Sequence, residues 1–203
     1  MKLIVVSTET FFPHEVEALC ALFNAGLQTF HVRKPYSTID EMRSFLQEIP
    51  TKFLDRMVLH DHFLLVNEFG LKGVHCNRRN LFPPHSSPQR RESLHISKSC
   101  HSLAEVLNAS CYCNYVFLSP IFDSISKHGY TKAFSHEALL LAQQEGIINE
   151  KVIALGGITV ENKEQVAEYG FGGIAIVGAL WRDFEKTGDV QRLLQRFQKF
   201  VHE

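Results

Sequence analysis

Residues 151–180, KVIALGGITVENKEQVAEYGFGGIAIVGAL, constrain the fold more than any other part of the chain. Two apolar runs rich in β-branched residues, 152–155 and 174–177, each end in small residues: Gly156 and Gly157 after the first, Gly178 and Ala179 after the second. Such runs read as buried parallel strands. Between them Thr159 is placed to cap a helix, Val166 and Ala167 give it an apolar stripe, and Gly170 stops it. The unit is therefore βαβ, with glycines at the carboxyl ends of both strands. Glycine has no Cβ, so ligand oxygens can approach its N–H closely, and a following helix start adds a favourable dipole. Paired sites of this kind after the last two strands of a (β/α)8 barrel form a recurrent phosphate cradle. Tight turns between packed elements are the alternative use of the same glycines.

With 203 residues, 45% of them hydrophobic, the chain can bury one core, and a single domain over 1–203 is expected. The formal net charge of -1 gives no overall pull toward nucleic acid or an anionic membrane, so any anionic ligand must be held by a local site. No apolar run approaches the length of a membrane span, and the opening MKLIVVSTETFF enters a strand instead of a cleavage signal. The cytoplasm is the expected location. Five cysteines form no CxxC pair and cannot all pair internally, which suits free thiols in a reducing compartment. Cys111 and Cys113 are too close and too few for a zinc site and read as packing.

The same alternation of apolar run and amphipathic stretch recurs from the N-terminus. Strands are expected at 3–6, 29–32, 56–59, 73–76, 94–98 and 115–118, before the pair at 152–155 and 174–177. Helices are expected at 15–23, 38–46 with Thr38 and Glu41 at capping-box spacing, 63–69, 102–107, 135–144 and 190–201. The Pro-rich LFPPHSSP replaces a long helix after the fourth strand, with one turn at 89–92. Eight strands alternating with helices predict a single TIM barrel. An open doubly wound sheet competes, but no GxGxxG follows the first strand. In the last helix Leu193, Leu194, Phe197, Phe200 and Val201 form the buried stripe. For residues 181–184 and this helix, a contact in a homodimer is the alternative to core packing.

In a barrel the residues just past each strand share one mouth. Here they include His31, Arg33 and Lys34; His60, Asp61 and His62; His75, Asn77, Arg78, Arg79 and Asn80; Lys98, Ser99 and His101; and Ser119, Ser124, Ser126 and Lys127. Guanidinium and ammonium groups with serine hydroxyls and glycine N–H groups make an anion pocket. Asp61, read as the one acid of this rim, suits Mg2+ bridging to a substrate phosphate, so a substrate with more than one phosphate group is expected. His31 and His75 lie on short apolar strands and read equally as core histidines or as catalytic ones. The HDH at 60–62 also suggests a transition metal, but no companion carboxylate stands at matched spacing.

These residues carry a resemblance. FHVRKP at 30–35, LHD at 59–61, GVH at 73–75, SKSCHSLAE at 97–105, NYVFLSPIFDSISK at 114–127 and IALGGI followed by GGIAIVGAL stand in order along the chain. Along nearly its whole length the chain resembles the thiamine-phosphate synthase family, which includes related thiazole tautomerases. The resemblance implies a TIM barrel that joins hydroxymethylpyrimidine diphosphate to a thiazole phosphate, releasing pyrophosphate with Mg2+. It implies that the diphosphate leaves first and that the thiazole nitrogen traps a pyrimidine-stabilised cation. Carried onto this sequence, Arg33, Ser99 and Lys127 would hold pyrophosphate and Asp61 would bind Mg2+. Ser124 and Ser126 stand where the family has threonines beside the thiazole, and Gly157, Gly178 and Ala179 would cradle its phosphate.

The chain departs from the family pattern at several positions. Where the family has QxRxK, this chain has His31, Arg33 and Pro35, with Lys34 as a substitute charge, and the Asn-Asp pair becomes His60-Asp61. The second metal-binding Asp becomes Asn80, and the tautomerase histidine after the sixth strand is replaced by Pro120. Losing one carboxylate weakens a hard-cation site, although Mg2+ can keep more waters. The competing functions are a thiazole tautomerase-like isomerase using His31, His60 or His101, and a catalytically silent binding paralogue.

Overall fold

Runs of valine, isoleucine, leucine and phenylalanine, each too short for a helix and each bounded by turn residues, become eight parallel strands in the computed structural model, which describes residues 1–81, 94–123 and 133–202. They are Lys2–Val6 (β1), Phe30–Val32 (β2), Met57–Leu59 (β3), Gly73–Cys76 (β4), His95–Cys100 (β5), Tyr115–Leu118 (β6), Val152–Leu155 (β7) and Gly173–Ile176 (β8). Each pairs with the next, and β8 returns to β1 in a register from Lys2 opposite Gly173 to Val5 opposite Ile176, closing the barrel. The helices are Glu15–Asn24 (α1), Ile39–Gln47 (α2), Leu65–Glu68 (α3), Leu103–Ser110 (α4), His136–Gln144 (α5) and Lys163–Glu168 (α6), with Gly178–Trp181 (α7), Phe184–Thr187 (α8) and Val190–His202 (α9) following β8. No helix among the described residues is long and apolar enough to cross a membrane.

The Thr38–Glu41 box forms as expected: Thr38 Oγ1 accepts the Glu41 N–H, and the Glu41 carboxylate accepts the Thr38 N–H. The Ser102 and Ser135 hydroxyls cap α4 and α5 by accepting the N–H groups of Glu105 and Ala138, without the reciprocal bond. Elsewhere the boundaries shift for identifiable reasons. Residues Thr51–Arg56 wind into a 3-10 helix, so β3 starts at Met57 and not at Arg56. Helix α6 begins after Asn162 and not after Thr159, because the Asn162 side chain accepts the Thr159 N–H at 2.8 Å and holds the loop open. Leu193, Phe197 and Phe200 of α9 are buried as expected, whereas Val201 is exposed. Trp181 and Phe184 are buried within the chain, and Trp181 Nε1 donates to the Val6 carbonyl, so this segment is core. Cys113 is buried but Cys111 is exposed. The expected turn at 89–92 lies outside the described residues.

Alternation along the strands separates two cores. Phe30 and Val32 of β2 face the helices with Leu19, Leu22 and Phe197, and each such buried side chain contributes about 1.5–3 kcal/mol. Inside the barrel Ile4, Val6, Tyr115, Phe117, Ile153 and Ala175 pack together. His31 on β2 points into this interior, and His75 on β4 joins it. His31 Nε2 lies 2.6 Å from the Tyr115 hydroxyl, and His75 Nδ1 lies 2.8 Å from Ser97 Oγ. His31 Nδ1 lies 2.9 Å from Nε2 of His60, just past β3. Burial pushes the pKa of all three imidazoles down, reinforced by His75 at His31 and His60 and by Arg33 at His60 and His75: His31 and His60 fall well below 6.5 and His75 falls to about 3. They are neutral at physiological pH.

Lys34, expected at the mouth, is instead sealed behind it. Its Nζ sits 2.6 and 2.8 Å from the Glu15 carboxylate of α1 and 2.7 Å from the Thr10 carbonyl, against the rings of Phe11 and Phe12. Desolvation raises the Glu15 pKa to about 6 and lowers that of Lys34, partly offset on each side by the partner. Lysine 34 is therefore a structural cation. Lys34→Met strands a buried carboxylate and should cost about 3–5 kcal/mol in urea unfolding, whereas Lys34→Met with Glu15→Leu should recover most of that loss. A Lys34→Met variant of unchanged stability would contradict this placement.

The histidines give stability a defined pH dependence. Their folded pKa values lie below the unfolded 6.5, so their contribution is complete above pH 6.5 and is lost as the pH falls. Glu15, raised to about 6, acts oppositely between about 6 and 4.5. Unfolding free energy should therefore drop on acidification through this window, because the lowered histidines, His95 among them, outnumber Glu15. His75→Asn should reduce the slope by one proton. Urea titrations from pH 7.5 to 5 measure it, and a flat profile contradicts the neutral assignment.

Candidate active site

Parallel closure brings every strand's carboxyl end to one rim, and there the protein opens a cavity of about 820 Å³. Ser7, Thr8 and Glu9 line it after β1, Arg33 after β2, His60 after β3, and Asn77, Arg78 and Arg79 after β4. Ser99 and His101 stand at the end of β5, Ser119 and Pro120 after β6, Gly156 to Ile158 after β7, and Val177 to Ala179 after β8. Of the expected site residues, Arg33, His60, Ser99, Gly157, Gly178 and Ala179 thus meet at one mouth. His31 lies beneath it in the barrel interior, and Lys34 is turned away from it. Ser124, Ser126 and Lys127 lie outside the described residues.

Arg33 is held from two sides. Its N–H donates to Ser7 Oγ at 2.8 Å, and its Nη1 donates to Glu9 at 2.6 Å. Glu9 corrects the expectation that Asp61 is the sole acid of the rim, and Asp183 and Glu185 also line the cavity. A guanidinium has five donors in a fixed fork, so pairing through Nη1 leaves donors for an anion. Ser99 Oγ lies 2.8 Å from His75 Nε2, which fixes the hydroxyl at the mouth. His101 Nδ1 reaches the Ser119 carbonyl at 3.1 Å.

Asp61 and Asn80 flank the cavity and do not line it. Asn80 Nδ2 donates to Asp61 Oδ1 at 2.5 Å and to the His60 carbonyl at 3.0 Å, and Arg79 stands 3.5 Å from the same Oδ1. The second oxygen, Asp61 Oδ2, is buried without a hydrogen-bond partner among the described residues. An unpaired buried carboxylate oxygen is costly and suits a hard cation that brings its own waters. A transition-metal centre fits less well. The ligand atoms of His31, His60 and His75 lie within 4.8 Å of one another, but the His60 and His75 rings stack at 4.2 Å, and five of their six ring nitrogens are already engaged by one another, by Tyr115 and by serines.

Gly156 and Gly157 adopt positive φ, 97° and 67°, and a Cβ on Gly157 would stand 2.4 Å from the Asp123 carbonyl oxygen. Packing against the loop after β6 alone therefore demands glycine here, while leaving the backbone open to the cavity. Gly178 and Ala179 begin α7, where the first N–H groups of a helix have no internal partner. Tyr115 and Arg182 were not legible as site residues. Tyr115 reads as an apolar strand residue, and Arg182 lies past the expected cradle.

Residues 3–180 match the family model described as Thiamine monophosphate synthase. Among solved structures, the chain is 40% identical to a thiamine phosphate pyrophosphorylase from Bacteroides thetaiotaomicron, with a TM-score of 0.87 over 99% of this chain and 96% of that one. A pyrophosphorylase from Pyrococcus furiosus shares the fold at 22% identity, with a TM-score of 0.73 over 98% and 95% of the two chains. A thiamine-phosphate synthase from Cronobacter sakazakii is 26% identical over 184 residues, 89% of this chain and 87% of its own. With a barrel closed in the same way and a mouth built from the motif residues, the chain belongs to the thiamine monophosphate synthase family.

Proposed function

We propose that this chain is a transferase of thiamine biosynthesis that joins hydroxymethylpyrimidine diphosphate to a thiazole phosphate and releases pyrophosphate. The observation that carries the reading is the convergence of Arg33, Ser99 and the two small-residue strand ends on one cavity, in a chain of this family. Such a reaction needs donors aimed at a departing diphosphate and a nucleophile held by its own phosphate. Arg33 and Ser99 supply the first set, with Arg78 and Arg79 adding positive charge on the same side. The N–H groups of Gly178 and Ala179 and the open backbone at Gly156 and Gly157 supply the second across the cavity. His60, neutral and fixed to His31, presents a ring to the pyrimidine side without competing for the diphosphate as a cation. Asp61 would hold Mg2+, with the Asn80 amide in place of a second carboxylate. Bound there, Mg2+ would neutralise charge on the leaving diphosphate. Free thiols at all five cysteines support a reducing, cytoplasmic setting.

Purified protein with both substrates and Mg2+ should form thiamine phosphate, measured by chromatography. Arg33→Ala should lower kcat/KM by about 10²–10³-fold, the usual effect of removing one oxyanion donor. Ser99→Ala should act in the same direction and more weakly. Absence of product under conditions where the Bacteroides thetaiotaomicron relative turns over would contradict the proposal.

A further inference from the structure

Arg79 stands between a carboxylate and the cavity. Its Nη2 lies 3.5 Å from Asp61 Oδ1, with 47% of the Arg79 side chain exposed and only 10% of the Asp61 side chain. Arg79 lines the cavity, whereas Asp61 does not. The backbone beneath the guanidinium is fixed. Asn77 Oδ1 accepts the N–H groups of Arg79 and Asn80 at 2.9 and 3.1 Å, the Asn77 N–H donates to the Asn80 carbonyl at 3.0 Å, and Asn77 Nδ2 ties this turn to the His60 carbonyl at 3.3 Å. A long, half-exposed side chain on a held turn can change partners without moving the backbone. Arg78 lines the same cavity, but among the described residues the ion pair to Asp61 belongs to Arg79.

The pair to Asp61 is easily exchanged. At 3.5 Å it is long, it shares Oδ1 with the Asn80 amide, and half-exposed pairs of this kind are weak. A divalent cation on Oδ2 would compete with the guanidinium for the single negative charge of one carboxylate, and the neutral Asn80 amide adds none. The two cations repel each other, and the guanidinium is the one on a flexible stem. Turned into the cavity, it meets phosphate oxygens, to which it gives charge-assisted hydrogen bonds.

We propose that Arg79 is a diphosphate-binding residue held in reserve by Asp61, and that Mg2+ at the carboxylate releases its guanidinium to the diphosphate. The inference rests on the reading that this mouth takes a diphosphate with Mg2+, and it adds to that reading a residue and a coupling. Without Mg2+, Arg79 must give up Asp61 to reach the anion. With Mg2+ it has already done so. Arg79 therefore makes the cation and the diphosphate assist each other beyond their direct attraction. No covalent bond changes in the exchange.

The test is calorimetric titration of Mg2+ alone, and of inorganic pyrophosphate with and without saturating Mg2+, on wild type, Arg79→Gln and Arg78→Gln. Arg79→Gln should bind Mg2+ alone about threefold more tightly, the gain from removing a weak competing ion pair. By linkage, Mg2+ should enhance its pyrophosphate binding less than in the wild type by that same factor. A residue that only adds positive charge gives a different pattern: Arg78→Gln should weaken pyrophosphate about equally with and without Mg2+. If Arg79→Gln also weakens pyrophosphate equally in both conditions, or leaves the affinity for Mg2+ alone unchanged, the exchange is overturned while the transferase reading stands. Pyrophosphate that fails to bind wild type and variants even with Mg2+ overturns the diphosphate reading and the exchange with it.

Discussion

The side chains inside the barrel are buried, so polar groups placed there depend on partners from other strands. Four polar side chains from β2, β4, β5 and β6 meet this requirement together: His31, His75, Ser97 and Tyr115. Their positions follow from register. His31 on β2 lies opposite Val58 of β3, and His75 on β4 lies opposite Ser97 of β5. A shift of one residue in any of these strands would turn a histidine into the helix layer and an apolar residue into the network. The polar interior therefore ties strand register to the positions of His60 and Ser99 at the rim.

Neutral imidazoles matter for the charge of the mouth. Because His31, His60 and His75 carry no charge at physiological pH, positive potential at the rim comes from Arg33, Arg78, Arg79 and Arg182. Glu9 moderates Arg33 and fixes its direction. On the opposite wall backbone N–H groups at the ends of β7 and β8 stand beside the charged side chains of Arg182, Asp183 and Glu185. In the proposed reaction the diphosphate would lie on the arginine side and the thiazole phosphate against the strand-end glycines.

Much of this was legible in the sequence where the signal was local. The strands at Gly73–Cys76, Tyr115–Leu118 and Val152–Leu155 fall where apolar runs end at turn residues, and the Thr38–Glu41 box is a four-residue signal that forms as read. What failed depended on partners far along the chain. Lys34 sits beside Arg33 in a motif at the end of a strand, yet Glu15, nineteen positions earlier, draws it behind the wall. Nothing in the neighbourhood of Lys34 announces that pairing. Asn162 displaced Thr159 at the start of α6 because its amide satisfies a loop N–H, a choice that helix-capping preferences alone do not rank. Tyr115 carries no signal of its polar role, because the hydroxyl acquires its partner only when β2 and β6 face one another across the barrel. The family motifs located the mouth; the substitutions at His31, His60 and Asn80 gained physical meaning only from their contacts.

The central claim is that this mouth binds a diphosphate with a divalent cation held at Asp61. Calorimetric titration of inorganic pyrophosphate, with Mg2+ and with the metal chelated, on wild type and Asp61→Asn tests it most directly. The account predicts that Mg2+ tightens binding to the wild type by about tenfold or more and leaves Asp61→Asn unaffected, because Oδ2 is the oxygen without a partner among the described residues. Wild-type affinity indifferent to Mg2+, or metal dependence retained in Asp61→Asn, would contradict it.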